Sequence, residues 1–264
     1  MIPVDGDFIL EVAPRFSGSR GDRQRQIIEE ISSDLQSILK SYKLDTYLRI
    51  AHFMAQVTHE CAGFRTTEEF ATGEAYEGRA DLGNDQPGDG VRFKGRGLIQ
   101  LTGRHNYRRY GDRLGLDLIG KPRIAAQPLI SLRVACEYWK DHKINKAADR
   151  DDLIHATRLV NGGRNGLDDR RRYLRKAKLA LARRAGVIIG AAQKGDDPVM
   201  RRGTKGLAVE RLQEQLNKHG GMVTIDGDFG GATEQAVRVF QKSGELAVDG
   251  VIGKIGWKAL SSKA

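Results

Sequence analysis

Ile50-Ala-His-Phe-Met-Ala-Gln-Val-Thr-His-Glu60-Cys61 is the stretch on which the fold turns. Ile50, Phe53, Met54, Val57 and Cys61 fall at i, i+3, i+4, i+7 and i+11, the period of an amphipathic helix, so 51–61 is predicted helical. Glu60 follows Phe53 by seven residues and therefore lies at the edge of the apolar stripe. A half-buried carboxyl is disfavoured in its charged form, which suits a general acid near neutral pH. Glu69 lies nine residues further on. An uninterrupted helix would carry it about 180° round the axis and roughly 13 Å along it. Gly63 offers a stop at which the chain can turn back, so that Glu60 and Glu69 face one cleft. An inverting glycosidase holds its two carboxyl groups about 6.5–9.5 Å apart, with a water between the base and the sugar.

A glycine-fenced segment follows: Tyr76-Glu-Gly-Arg-Ala-Asp-Leu-Gly-Asn84, Gly88-Asp-Gly90, then Gly95-Arg-Gly-Leu-Ile-Gln-Leu-Thr-Gly103. Leu98, Gln100 and Thr102 alternate with Ile99 and Leu101, so a short extended run is predicted to aim Gln100 and Thr102 the same way. Glycines on either side let a bulky ligand approach the backbone.

Ala55-Gln-Val-Thr-His-Glu60, Gly95 to Thr102, Asn106-Tyr107, Val160-Asn-Gly-Gly163 and Asp168-Asp-Arg-Arg-Arg-Tyr173 together resemble the family 19 glycoside hydrolases, in the branch that includes phage endolysins. The resemblance implies a mainly α, lysozyme-like catalytic domain with a deep cleft, and inverting hydrolysis of β-1,4 bonds next to N-acetylated sugars. By position Glu60 matches the general acid and Thr102 the hydroxyl that helps hold the attacking water. Gln100, Asn106, Tyr107 and Asn161 match sugar-binding positions. Glu69 matches the second carboxylate of the endolysin branch, with Glu68 and Glu77 as alternatives.

The chain's 264 residues accommodate one larger and one smaller domain. Gly186-Val-Ile-Ile-Gly-Ala-Ala-Gln-Lys-Gly-Asp-Asp-Pro198 has no sustained period, which gives domains at 1–185 and 200–264 joined by a linker at 186–199. Beyond it, Ile225-Asp-Gly-Asp-Phe-Gly230 is echoed by Val248-Asp-Gly-Val-Ile-Gly253. Helices packing through Val209, Leu212 and Leu216, through Ala236, Val237 and Phe240, and through Trp257 and Leu260 make a small three-helix module. Together with Arg202-Gly-Thr-Lys-Gly-Leu-Ala-Val-Glu-Arg-Leu-Gln213, this tail resembles the type 1 peptidoglycan-binding domains, which implies bacterial peptidoglycan as partner. Gly256 stands where that family commonly has a threonine, which predicts a weakened start to the last helix.

Other chemistries fit poorly. His52 and His59 would be about 10 Å apart along a helix, too far for one zinc ion, and His59-Glu60 lacks the second histidine of a His-Glu-x-x-His site, so no metal or other cofactor is expected. Cys61 and Cys136 lie on apolar helix faces and read as buried thiols. The net charge of +10 points to an anionic partner, but no nucleic-acid-binding motif accompanies it. Acidic wall polymers or an outer-membrane surface fit instead, with Arg170-Arg-Arg-Tyr-Leu-Arg-Lys-Ala-Lys178 read as an amphipathic helix whose basic face is solvated. Met1-Ile-Pro-Val-Asp-Gly-Asp-Phe lacks the pattern of a signal peptide, so synthesis in a host cytoplasm and release through a holin are expected, for a monomer.

Overall fold

The computed structural model describes residues 1–185, 198–204 and 206–261. Residues 186–197 of the anticipated linker lie outside the described residues. The chain divides into two compact units after Ala185.

The first unit is a helical assembly: α1 (Gly6–Val12), α2 (Gly18–Ser41), α3 (Tyr47–Glu60), α4 (Asp89–Arg92), α5 (Arg104–Leu114), α6 (Pro128–Asp141), α7 (Asn145–Ala148), α8 (Leu153–Asn161) and α9 (Leu167–Ala185). Pairing of extended backbone is limited, among the described residues, to isolated antiparallel bridges at Glu68–Arg96, Arg96–Leu101 and Met200–Ile252.

Helix α3 is the axis of this unit and packs most extensively against α9. Thr46 caps its start by accepting a hydrogen bond from the Arg49 amide at 3.3 Å. Its end follows the expected stop. The Gly63 amide reaches back to the Thr58 carbonyl at 2.7 Å, and Ala62, Gly63 and Phe64 all have positive φ. Gly63 is required twice over, because its φ is +77° and a Cβ there would lie 2.5 Å from Pro14 Cγ. The buried Gln24 locks the turn by donating to the Gly63 and Pro14 carbonyls at 2.6 and 2.8 Å.

The single apolar stripe expected of α3 is too narrow a picture. Every residue from Ile50 to Thr58 is buried, polar ones included. Phe53 meets Trp139 edge-on with centroids 5.4 Å apart. Burying His52 and Gln56 requires partners. His52 Nε2 lies 2.7 Å from Asp151 Oδ1, and Gln56 donates to Thr157 Oγ1 at 3.0 Å while accepting from Arg170. Burial alone would raise the Asp151 pKa, but the bonds to His52 and Lys178 outweigh it and hold the carboxyl below its usual range.

The basic run of α9 also departs from its expectation as a solvated face. Arg170 is only 1% exposed. Several neighbours are tied to acids of the same unit: Arg171 to Asp168, Arg172 to Asp169, Lys178 to Asp151, and Arg183 and Arg184 to Glu11, at 2.6–2.8 Å. Much of the cationic character read from this stretch is therefore neutralised within the fold.

The second unit contains α10 (Leu207–Lys218), α11 (Gly231–Ser243) and α12 (Lys254–Ser261), around Val209, Leu212, Leu216, Phe229, Val237, Trp257 and Leu260. The sequence echo is an echo in space. In each copy the aspartate carboxylate accepts from the amide two residues on, Asp228 for Asp226 and Val251 for Asp249, both at 2.9 Å. A buried glutamine from the preceding helix then clamps the turn. The Gln213 amide oxygen accepts from the Asp226 and Gly227 amides at 3.0 Å, and the Gln241 oxygen accepts from the Gly250 amide at 2.9 Å. Gly256 is not where this helix starts. The helix begins two residues earlier, and a Cβ at Gly256 would lie 2.9 Å from Ile252 Cδ1, so the missing side chain makes room for the core.

Because an orphaned buried amide costs about 1–3 kcal/mol, Gln213→Leu is expected to speed native-state hydrogen exchange at the Gly227 amide by about tenfold or more, measured on the full chain. An unchanged rate would show that Gln213 does not hold the turn.

Candidate active site

Glu69 stands on an irregular segment braced against the 95–102 turn. Its amide donates to the Gly95 carbonyl at 3.0 Å, and its carboxylate accepts from the Gly95 amide at 2.6 Å and from the Tyr76 hydroxyl at 2.9 Å. Both oxygens act as acceptors, the role an ionised carboxylate fills. Burial, then the bond to Glu69 and its negative charge, raise the Tyr76 pKa, so the phenol stays a donor.

The alternation read into 98–102 is not what aims Gln100 and Thr102. Leu98, Ile99 and Leu101 are all buried, and the chain folds back on itself. Arg96 and Leu101 exchange backbone hydrogen bonds at 3.1 and 2.8 Å, and Gln100 sits at φ +54° in the turn between them. This turn nevertheless converges the expected polar groups. Gln100 Oε1, Glu69 Cδ and Thr102 Oγ1 lie 3.0, 3.2 and 3.3 Å from the point a Cβ on Gly95 would occupy. The missing side chain of Gly95 thus lets a carboxylate, an amide oxygen and a hydroxyl close in around one point. Thr102 donates its own proton to the Gln100 carbonyl at 2.9 Å, which leaves its oxygen lone pairs to accept.

Glu60, the last residue of α3, belongs to a second cluster. Its carboxylate pairs with the buried guanidinium of Arg170 at 2.5 Å, and Arg170 also donates to Gln56 and, at 3.1 Å, to the Asn165 carbonyl. The glutamate side chain is 18% exposed. The partial burial expected for Glu60 is present, together with a buried cation that the local pattern did not announce. Burial raises the Tyr138 pKa to about 12, with the Glu60 charge acting the same way, and the Tyr138 hydroxyl contacts the Leu159 and Val160 carbonyls at 3.1 Å.

Asn161 closes this side: its amide nitrogen donates to the Asn165 carbonyl at 3.0 Å and its oxygen accepts from the Gly163 amide at 2.9 Å. It shapes the loop as much as it faces outward. Asn106 likewise donates to the Thr102 carbonyl at 2.9 Å and steadies the hydroxyl-bearing residue. Tyr107 departs from its expected contact with sugar. It is fully buried, donates to the Lys94 carbonyl at 2.7 Å and accepts from Arg96 at 3.0 Å, so it is a prop beneath the turn.

The alternative carboxylates are engaged elsewhere. Glu68 pairs with Lys94 and Arg96 at 3.3 and 3.2 Å, while Glu77 accepts from the Gly88 and Gly90 amides at 2.6 and 2.8 Å and straps its own loop. His59 packs where a Cβ on Gly166 would overlap its ring, 3.7 Å from Asp169. Burial and the Arg170 charge lower the His59 pKa, against smaller opposite pulls from Glu60 and Asp169, so the ring is neutral at neutral pH. Cys61 and Cys136 are buried free thiols. Burial pushes the first up to about 12 and the second well above its usual value, which removes both as nucleophiles. Among the described residues no group of three or more His, Cys, Asp or Glu side chains gathers as metal ligands.

Residues 44–158 match the chitinase class I family, glycoside hydrolase family 19, and residues 205–260 match the peptidoglycan binding domain family. The chain carries a family 19 glycoside hydrolase domain followed by a peptidoglycan-binding domain. A glycosyl hydrolase family 19 domain-containing protein of Haemophilus influenzae is 37% identical over 103 residues, 39% of this chain and 49% of that protein. Tobacco acidic endochitinase Q is 36% identical over 106 residues, 40% of each. The matched part thus spans about half or less of these relatives. Chitinase C of Streptomyces griseus superimposes with a TM-score of 0.52 at 19% identity, over 69% of this chain and 76% of that one. A class IV chitinase of maize gives 0.53 at 21% identity, over 68% and 92%. The family 19 domain therefore has the mainly helical, lysozyme-like fold of these enzymes.

Two partners carry little local signal. Arg170 stands in a basic run, although its spacing from Leu174, Ala177 and Leu181 (i, i+4, i+7, i+11) puts it on the apolar stripe. Tyr76 carries no local signal, since its role depends on a loop meeting Glu69. Gly95→Ala, which keeps the backbone bond to Glu69 but crowds a methyl against the three polar groups so that they must shift, is expected to lower glycosidase kcat/KM at least about tenfold, about 1.4 kcal/mol, in protein that remains folded by circular dichroism. Wild-type turnover in that variant would mean the convergence is not used.

Proposed function

We propose that this protein is a modular, endolysin-type glycosidase that hydrolyses β-1,4 bonds of bacterial peptidoglycan by inverting single displacement. The observation that carries the reading is the convergence of Glu69, Gln100 and Thr102 on the space beside Gly95. A water there would give one hydrogen bond to Glu69 and the other to Thr102 Oγ1, turning its lone pair toward the sugar. Glu60, with one oxygen held by Arg170, would protonate the glycosidic oxygen from the other. As the bond from the anomeric carbon to the leaving oxygen breaks, water bonds to the opposite face of that carbon and Glu69 takes its proton. Gln100, Asn106 and Asn161 line the sugar path in this scheme, and nothing in it calls for a metal.

The peptidoglycan-binding domain favours the wall as substrate, because tethering raises the local concentration of glycan at the catalytic domain. In an endolysin role the enzyme would act on the wall after a holin opens the membrane and would lyse the host cell. Chitin is the second reading, favoured by the similarity to tobacco endochitinase.

Digestion of purified sacculi and of chitin, with mass analysis of new reducing ends, separates the readings. N-acetylmuramic acid ends are expected from sacculi, and Glu60→Gln and Glu69→Gln should each lose at least about a hundredfold in rate while still binding the wall. Release from chitin with none from sacculi would contradict the wall reading, as would full activity in either variant.

A further inference from the structure

A cavity of about 430 Å³ in the first unit is lined by Ser19, Arg20 and Arg23 from the first turns of α2 and by Arg65 and Phe70 from the segment that carries Glu69. Its lining contains three cations and no acid. Cations elsewhere in this unit are widely paired, as in the basic run of α9, whereas no hydrogen bond or ion pair engages the side chains of Arg20, Arg23 or Arg65 among the described residues. Asp22, the acid nearest in sequence, is occupied by Arg25 at 2.5 Å. The Arg65 guanidinium lies 5.9 Å from the Phe16 ring centroid and 5.2 Å from that of Phe70, and its Nε is buried without a partner. Stacking holds the guanidinium in place and leaves its donors unspent. Phe70 is 77% exposed, a large apolar face at the mouth of a cationic pocket and the residue next to Glu69.

We propose that this cavity binds the free carboxylates of stem peptides on the glycan strand, so that the catalytic domain itself distinguishes peptidoglycan from neutral chitin. The inference rests on the glycosidase reading above, because the occupant is assigned from continuity with a strand at Glu69. Arginine forks match carboxylates in shape and charge, and an apolar ring beside them suits the aliphatic part of a peptide. A second basic cavity lies across the same segment, lined by Glu68, Arg92, Lys94, Arg96, Lys121 and Arg123 among others. It is the weaker candidate, because Lys94 and Arg96 already pair with Glu68, and Arg92 donates to the Ile119 carbonyl.

The test uses the full chain as Glu60→Gln, with and without Arg20→Gln and Arg23→Gln, two exposed positions at which folding is checked by melting temperature. Calorimetric titration compares soluble peptidoglycan fragments, the same fragments after amidation of their carboxylates, and a neutral chitin oligosaccharide. The parent is expected to favour the carboxylated fragments at least about tenfold, and the double substitution to abolish that preference while leaving the chitin oligosaccharide unaffected. The second unit is identical in both proteins, so its own affinity cancels. Equal binding of carboxylated and amidated fragments by the parent, or a preference that survives the double substitution, would overturn the proposal. Competition by inorganic phosphate without discrimination between the fragments would overturn it too, in favour of a phosphate ester. Absence of the preference in the parent, with sacculi still cleaved by the wild type, would sink the cavity and leave the glycosidase standing. A preference without cleavage would do the reverse.

Discussion

The buried guanidinium of Arg170 is the constraint around which the candidate acid is built. A cation with 1% exposure costs several kcal/mol unless its donors are met, and here Glu60, Gln56 and the Asn165 carbonyl meet them. One side chain thereby joins α3, α9 and the loop after α8. Gly166, at φ +68°, lets that loop close over His59 where any side chain would collide. Glu60 is consequently oriented by the core of the domain, so its position is as fixed as the packing of the two helices that enclose Arg170.

Glu69 is held by a different kind of scaffold. Its segment is itself not helical, and its surroundings are stapled by charge and backbone bonds. Glu77 ties the Gly88 and Gly90 amides, and Asp89 pairs with Arg104 at 2.5 Å, a bond that leads the causes holding the Asp89 carboxyl below its usual range. Arg96 and Tyr107 support the turn from beneath. Glu60 thus stands on a helical support, and the polar convergence beside Gly95 on a stapled one. Polar residues around this segment are thus spent largely on one another, which is why Tyr107, Glu68 and Glu77 do structural work although each invited a role in binding or catalysis.

What could be read from the chain was what local physics encodes. The helical period of 50–61, the stop at Gly63 and the Asp-Gly turns of the second unit depend on neighbours within a few residues, and each is found where spacing put it. The turn at 97–100 is not legible in the pattern, because Leu98, Ile99 and Leu101 are all buried and alternation carries no information about faces. Arg170 was hidden by composition: among so many arginines, the one paired inward differs only in its register with the apolar stripe. Partners such as Asp151 for His52, 99 residues apart, lie beyond any window in which periodicity speaks.

The chain carries two separate matches, a family 19 glycoside hydrolase domain and a peptidoglycan-binding domain, and in the proposed scheme the first presents its acid and its base on two independently built supports. An acid and a base acting on opposite faces of the sugar leave a stereochemical signature. The most direct measurement is proton NMR of a soluble β-1,4-linked N-acetylated glycan during cleavage, following the anomeric configuration of the new reducing end before mutarotation. The α-anomer appearing first is the result expected of Glu60 and Glu69 in single displacement. The β-anomer appearing first would mean a covalent or substrate-assisted route, and would contradict the roles given to both carboxylates.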